Sequence, residues 1–110
     1  MNYDIRDEGG VAVVALTGDV DLENSPKVRT ALLDCVGMKR AVLVDMSGVS
    51  YIDSSGVASL VEAYQTAKKS ETSFALADVS QAAMRVLALA RLDKVFTIHP
   101  SLAEGLEHAD

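Results

Sequence analysis

The chain is short of the residues on which many functions depend. It carries one cysteine, Cys35, in 110 residues, so no disulfide can form within it. Two prolines, seven glycines and no low-complexity segment leave little room for disorder beyond the last few residues. Positive charge is scarce: ten Lys and Arg stand against sixteen Asp and Glu, for a formal net charge of −6. Basic residues adjoin only at Lys39-Arg40 and Lys68-Lys69, each near an expected helix end where cations suit the helix dipole. The chain therefore reads as one that binds no nucleic acid. No apolar run approaches membrane-spanning length, and Met1-Asn2-Tyr3-Asp4 lacks the basic and apolar regions of an export signal, so neither membrane segment nor secretion is expected. A P-loop, a nucleophile elbow and a metal-ligand cluster are all missing from the sequence, which points to a non-enzymatic cytoplasmic protein without cofactor or metal.

What is present is a core. Apolar residues make up 49% of the chain, enough for one domain over residues 1–110. Residues 1–6 and 11–16 read as strands joined by a hairpin turn at Gly9-Gly10, with Tyr3 and Ile5 on one face of the first. Gly18-Asp19-Val20-Asp21 reads as a polar loop. Ser25-Pro26 reads as an N-cap with proline at the first helical position, opening a helix that runs to about Val36 and is stopped by Gly37. Its apolar stripe is Val28, Ala31, Leu32 and Cys35. Further strands are expected over 41–46, 73–77 and 95–98. A helix after Asp53 buries Val57, Leu60, Val61 and Tyr64; one capped by Ser80 buries Ala83, Val86, Leu87 and Ala90; a terminal helix follows the capping signature Ser101-Leu102-Ala103-Glu104. The alternation predicts an α/β domain: a mixed, mostly parallel sheet of four or five strands with about four helices, the first hairpin supplying an antiparallel edge.

The most informative stretch is Asp45-Met46-Ser47-Gly48-Val49-Ser50-Tyr51-Ile52-Asp53-Ser54-Ser55-Gly56-Val57, which passes from a strand through a polar corner into a helix. Asp53 is a good N-cap and places Ser54 and Ser55 in the first turn, beside unpaired backbone N–H groups. A phosphate on a hydroxyl there is compatible with the helix, because its N-terminus favours negative charge. No base that could make either serine a nucleophile stands out.

These residues carry a family resemblance over nearly the whole chain. Leu16-Thr17-Gly18-Asp19-Val20-Asp21 is similar to a Leu-x-Gly-Glu/Asp-x-Asp element, and Val44 to Gly56 is similar to a second element ending in Asp-Ser-Ser-Gly. In this order and placement the two resemble the STAS domain family, and within it the bacterial anti-sigma factor antagonists. The resemblance implies a partner switch. The unphosphorylated protein would bind a serine-kinase anti-sigma factor of the GHKL type and free the sigma factor. Phosphorylation of the serine after the aspartate, here Ser54, would end that binding, and a serine phosphatase would restore it. Asp19 and Asp21 would flank the acceptor, Gly18 would permit the bend before them, and Asp53, Ser54, Ser55 and Gly56 would form the partner-binding corner. After Gly56 the chain reads Val57-Ala58-Ser59-Leu60, where antagonists commonly have Leu-Gly and then aliphatic residues.

Plainer readings compete. Asp53, Ser54 and Ser55 could be only a well-capped helix, and Asp19 and Asp21 ordinary loop acids, too few for a divalent-cation cage. Cys35 reads as an inert core thiol, and His99 and His108 as solvated residues without partners. The family also includes accessory subunits of ABC-type lipid-transport systems, which bind an ATPase, and scaffolds of stress-sensing assemblies. Domain size suggests a free monomer, with a sheet edge as the place where copies could pair weakly.

Overall fold

In the computed structural model, which describes residues 1–108, Gly9 and Gly10 both take positive φ and turn strand β1 (Asn2–Glu8) back as the antiparallel neighbour of β2 (Val11–Val20). From β2 onward the chain alternates: helix α1 (Ser25–Gly37), β3 (Val42–Ile52), α2 (Ser54–Lys69), β4 (Phe74–Ala77), α3 (Gln81–Leu89), a 3₁₀ turn (Leu92–Lys94), β5 (Thr97–His99) and α4 (Leu102–His108). The sheet order is β1-β2-β3-β4-β5, and every pairing after the hairpin is parallel. The expected mixed α/β sheet is the fold observed.

The topology dictates the layers. Right-handed crossovers that all advance in one direction put their helices on one face of the sheet. On that face the inward residues of β2 and β3, among them Val14, Leu16, Val44 and Met46, pack with Val28, Leu32, Leu60, Ala63 and Leu87 in the main core. Tyr64, Phe74 and Phe96 close its lower edge with ring centroids 5.4–6.4 Å apart. The other face carries Val13, Leu43 and Ala77 and is covered by α4 through Leu102 and Leu106. A Cβ on Gly105 would lie 2.8 Å from Leu43 Cδ2, so glycine lets this short helix sit close.

Several local expectations are corrected. β2 continues through Gly18 and Asp19 to Val20, and β3 runs from Val42 to Ile52 rather than ending at Met46. Both are long because the β2–β3 ladder absorbs two register shifts, and Gly18 occupies φ +88° inside β2. Helix α1 is capped by Asn24, not Ser25. Asp21 begins the turn, its carbonyl accepting from Ser25 N at 2.7 Å, which makes Ser25 the first helical residue. Gly37 lies within α1; the left-handed position after it is taken by Lys39, at φ 57°. The last strand starts at Thr97 because Phe96 turns into the core behind the 3₁₀ turn. Val57, Val61, Tyr64 and Val86 are only partly buried, and Ala90 is exposed. The two histidines do have a partner in each other: the rings of His99 and His108 lie parallel, within 12°, with centroids 5.8 Å apart.

Candidate functional site

The C-terminal ends of β2 and β3 meet at a corner built around Asp53. Its backbone N–H donates to Val20 O at 3.2 Å, which fixes the end of β3 to the end of β2. One carboxylate oxygen, Oδ1, accepts from Ser55 N at 3.0 Å, Gly56 N at 3.1 Å and Ser55 Oγ at 2.5 Å. The other, Oδ2, accepts from Leu22 N at 3.1 Å, across the gap to the loop before α1. Asp53 is thus both the N-cap of α2 and a clasp between two loops. These donors favour the ionised form, the Ser55 hydroxyl most, and hold the carboxyl below its usual range against a smaller opposing effect of burial.

The two serines are placed differently. Ser55 is half-buried and its hydroxyl is committed to Asp53. Ser54, the first residue of α2, is exposed, and its hydroxyl makes no hydrogen bond among the described residues. Gly56 is buried: a Cβ there would lie 2.5 Å from Val20 O and 2.8 Å from both Ile52 Cγ1 and Val20 Cγ1. Glycine is what lets the start of α2 rest against the end of β2.

Asp21 lies in the facing loop, with Oδ1 accepting from Asn24 N at 3.1 Å. Asp19 lies in β2 beside Tyr51 in β3; its side chain is exposed and its carbonyl accepts from Asn24 Nδ2 at 3.1 Å. The structure brings Asp19, Asp21 and the Asp53–Gly56 turn to one end of the sheet. No hydrogen bond joins Asp19 or Asp21 to Ser54 among the described residues, and the acids form no metal-binding cluster there.

Beside the corner, α1 and α2 enclose a shallow groove of about 310 Å³ lined by Ser25, Arg29, Ser55, Ala58, Ser59 and Glu62, among others. Ser59 is buried, its hydroxyl between Ser25 O at 3.3 Å and Ser55 O at 3.1 Å, and Ala58 faces out. Arg29 and Glu62 close the groove with a bidentate pair at 2.9 and 2.6 Å, which raises the pKa of the arginine and lowers that of the acid. Two exposed apolar residues at the corner escaped the sequence reading: Leu22, 74% exposed, and Tyr51, 51% exposed. The signal for Leu22 was available as a lone apolar residue within Asp21-Leu22-Glu23-Asn24. Tyr51 gave no such signal, because a tyrosine before Ile52 reads equally well as core.

Comparison with known proteins matches residues 2–105 to the model of the STAS domain. An anti-sigma-B factor antagonist of Bacillus subtilis is 22% identical over 107 residues, covering 97% of this chain and 98% of its own length. The crystal structure of an anti-sigma factor antagonist from Mycobacterium paratuberculosis superposes with TM-score 0.89 at 30% identity, covering 96% of this chain and 91% of that one. The Bacillus cell fate determinant SpoIIAA, solved in its phosphorylated form, shares the fold with TM-score 0.75 at 15% identity, covering 96% and 97%.

Proposed function

The chain belongs to the STAS domain family, and from that membership we propose that it is an anti-sigma factor antagonist whose partner binding is switched at Ser54. The unphosphorylated protein binds a serine-kinase anti-sigma factor of the GHKL type and so frees a sigma factor. Phosphorylation of Ser54 ends that binding, and a serine phosphatase resets it. The whole-length similarity to antagonists from Bacillus subtilis and Mycobacterium paratuberculosis supports the role. The observation that carries the choice of residue is the contrast between the two serines: Ser54 is exposed and its hydroxyl makes no hydrogen bond among the described residues, whereas the hydroxyl of Ser55 is held by Asp53.

The chemistry of the corner suits such a switch. A phosphate on Ser54 adds a charge of about −1.5 to −2 and three strong acceptor oxygens at a helix N-terminus, which tolerates it. The same charge is added at the end of the sheet that carries Asp19, Asp21 and Asp53 and exposes Leu22 and Tyr51, the apolar part of the proposed docking surface. A partner covering that surface would have to desolvate the phosphate. A hundredfold loss of affinity requires only about 2.7 kcal/mol, within reach of one badly placed charge.

The test is phosphotransfer from the cognate serine kinase, read by intact mass and fragmentation. Wild type and Ser55→Ala are expected to gain one phosphate at Ser54, and Ser54→Ala none. Phosphate on Ser54→Ala at the wild-type rate would move the acceptor elsewhere. Co-purification of an ABC ATPase in place of a kinase would favour the transport-subunit role.

A further inference from the structure

From the outer edge of β1 we infer a second interaction surface, whose partner is another copy of this chain. The two edges of the sheet are unlike. β5 has three residues and runs into Pro100, a blunt edge. β1 has seven exposed residues, contains no proline and pairs with β2 without a register shift, so among the described residues its outer side is straight and open. Of the usual protections against edge pairing it has only charge.

That charge is arranged to permit one pairing. A two-residue hairpin loop closes on a hydrogen-bonded pair, here Glu8 and Val11. The even-numbered residues Asn2, Asp4, Arg6 and Glu8 therefore exchange bonds with β2, and Tyr3, Ile5 and Asp7 direct their N–H and C=O groups outward. Two copies meeting antiparallel about a two-fold axis must oppose one residue to itself. With the axis at Ile5, all three outward residues find outward partners: Ile5 with Ile5, and Tyr3 with Asp7 in both directions. Shifting the axis to Asp4 or Arg6 leaves one outward residue of each copy without a partner. It also opposes Asp4 to Asp4 in the first case, and Asp4 to Glu8 in the second.

The Ile5 register instead sets Asp4 of each copy opposite Arg6 of the other. These are non-hydrogen-bonded positions, where cross-strand side chains approach most closely. Arg6 is available, since its contact with Glu8 within the strand is 4.0 Å long and exposed. On the opposite face the two Ile5 side chains, 45% exposed in the monomer, would meet with Tyr3 of each copy diagonal to them, an apolar centre bounded at both ends by Asp7, which Arg40 already pairs at 2.8 Å. The surface is small, so the dimer is weak and reversible. Its axis crosses β1 at Ile5, level with Val14 in mid-strand, which leaves the two Ser54 corners at opposite ends of a continuous ten-stranded sheet.

Sedimentation equilibrium from micromolar to millimolar protein tests this. The average mass is expected to rise from 11.7 kDa toward twice that value. Arg6→Asp should weaken association roughly tenfold by opposing like charges, and the double variant Asp4→Arg with Arg6→Asp should restore it, because the swap rebuilds both pairs. Ile5→Pro, which removes an N–H directed outward and leaves the β1–β2 ladder intact, should abolish association while the far-UV spectrum stays native. A monomer at every concentration would overturn the inference. So would association that the double variant fails to restore, which would place the contact elsewhere. Neither result bears on phosphorylation of Ser54, which is read separately.

Discussion

At Asp53 a single carboxylate accepts four hydrogen bonds, three of them from the first turn of α2 and one from Leu22. The folded protein holds its pKa below the unfolded value, so its contribution to stability is fully present above the ordinary carboxylate range. It is lost as pH falls through that range toward the depressed folded pKa. Asp53→Asn keeps an amide oxygen for the cap but removes the charge. Its melting temperature is expected to fall less between pH 7 and pH 3 than that of the wild type; parallel curves would show that the ionised form is not what the corner selects. Gly56 offers a second test. Gly56→Ala forces a methyl onto Val20 O and is expected to cost about 2 kcal/mol in chemical denaturation, the scale of overpacking a tight contact. The sequence alone marks Asp53 as a cap and Ser54 and Ser55 as neighbours in a first turn. It cannot tell the two hydroxyls apart, since that difference arises only when the turn closes and Ser55 Oγ comes within bonding distance of Asp53.

Among the elements, the helices were the most legible and the long strands the least. Val28, Ala31, Leu32 and Cys35 repeat at helical spacing, and all four are buried. In β3 the buried residues Met46, Val49 and Ile52 fall three apart, because β3 gains a residue on β2 at each of the two register shifts. Strict alternation fails there, and Ser47, Gly48 and Ser50 look like the end of a strand that in fact continues. The helix C-termini follow the same lesson. Lys39, Glu71 and Arg91 each take positive φ just after a helix, the place where glycine is the usual sequence signal. Glu71 is exposed, so Glu71→Gly is expected to raise stability by up to about 1 kcal/mol by relieving the left-handed strain. A loss of stability would mean that the side chain makes a contact worth more than the strain.

For the whole molecule, the one-directional crossovers stack α1, α2 and α3 on one face and leave α4 to cover the other. The order of elements was readable from alternating strand and helix signals, and with it a mostly parallel sheet with an antiparallel first hairpin; which face each helix covers was not. The clasp between Leu22 and Asp53 joins residues 31 apart in the chain, which local patterns do not encode. Because the corner lies at the end of the sheet and Ser54 points away from the core, a phosphate there is expected to change what the molecule binds and to leave its fold unchanged. The most direct measurement is a binding titration of the proposed partner, a serine-kinase anti-sigma factor, with this protein, unmodified and phosphorylated at Ser54, alongside amide NMR spectra of both forms. Affinity about a hundredfold lower for the phosphoprotein, with spectral changes confined to the β2–α1 loop and the start of α2, is the expected result. Equal affinities, or a phosphoprotein whose spectrum has collapsed throughout, would contradict a switch that acts at the interface.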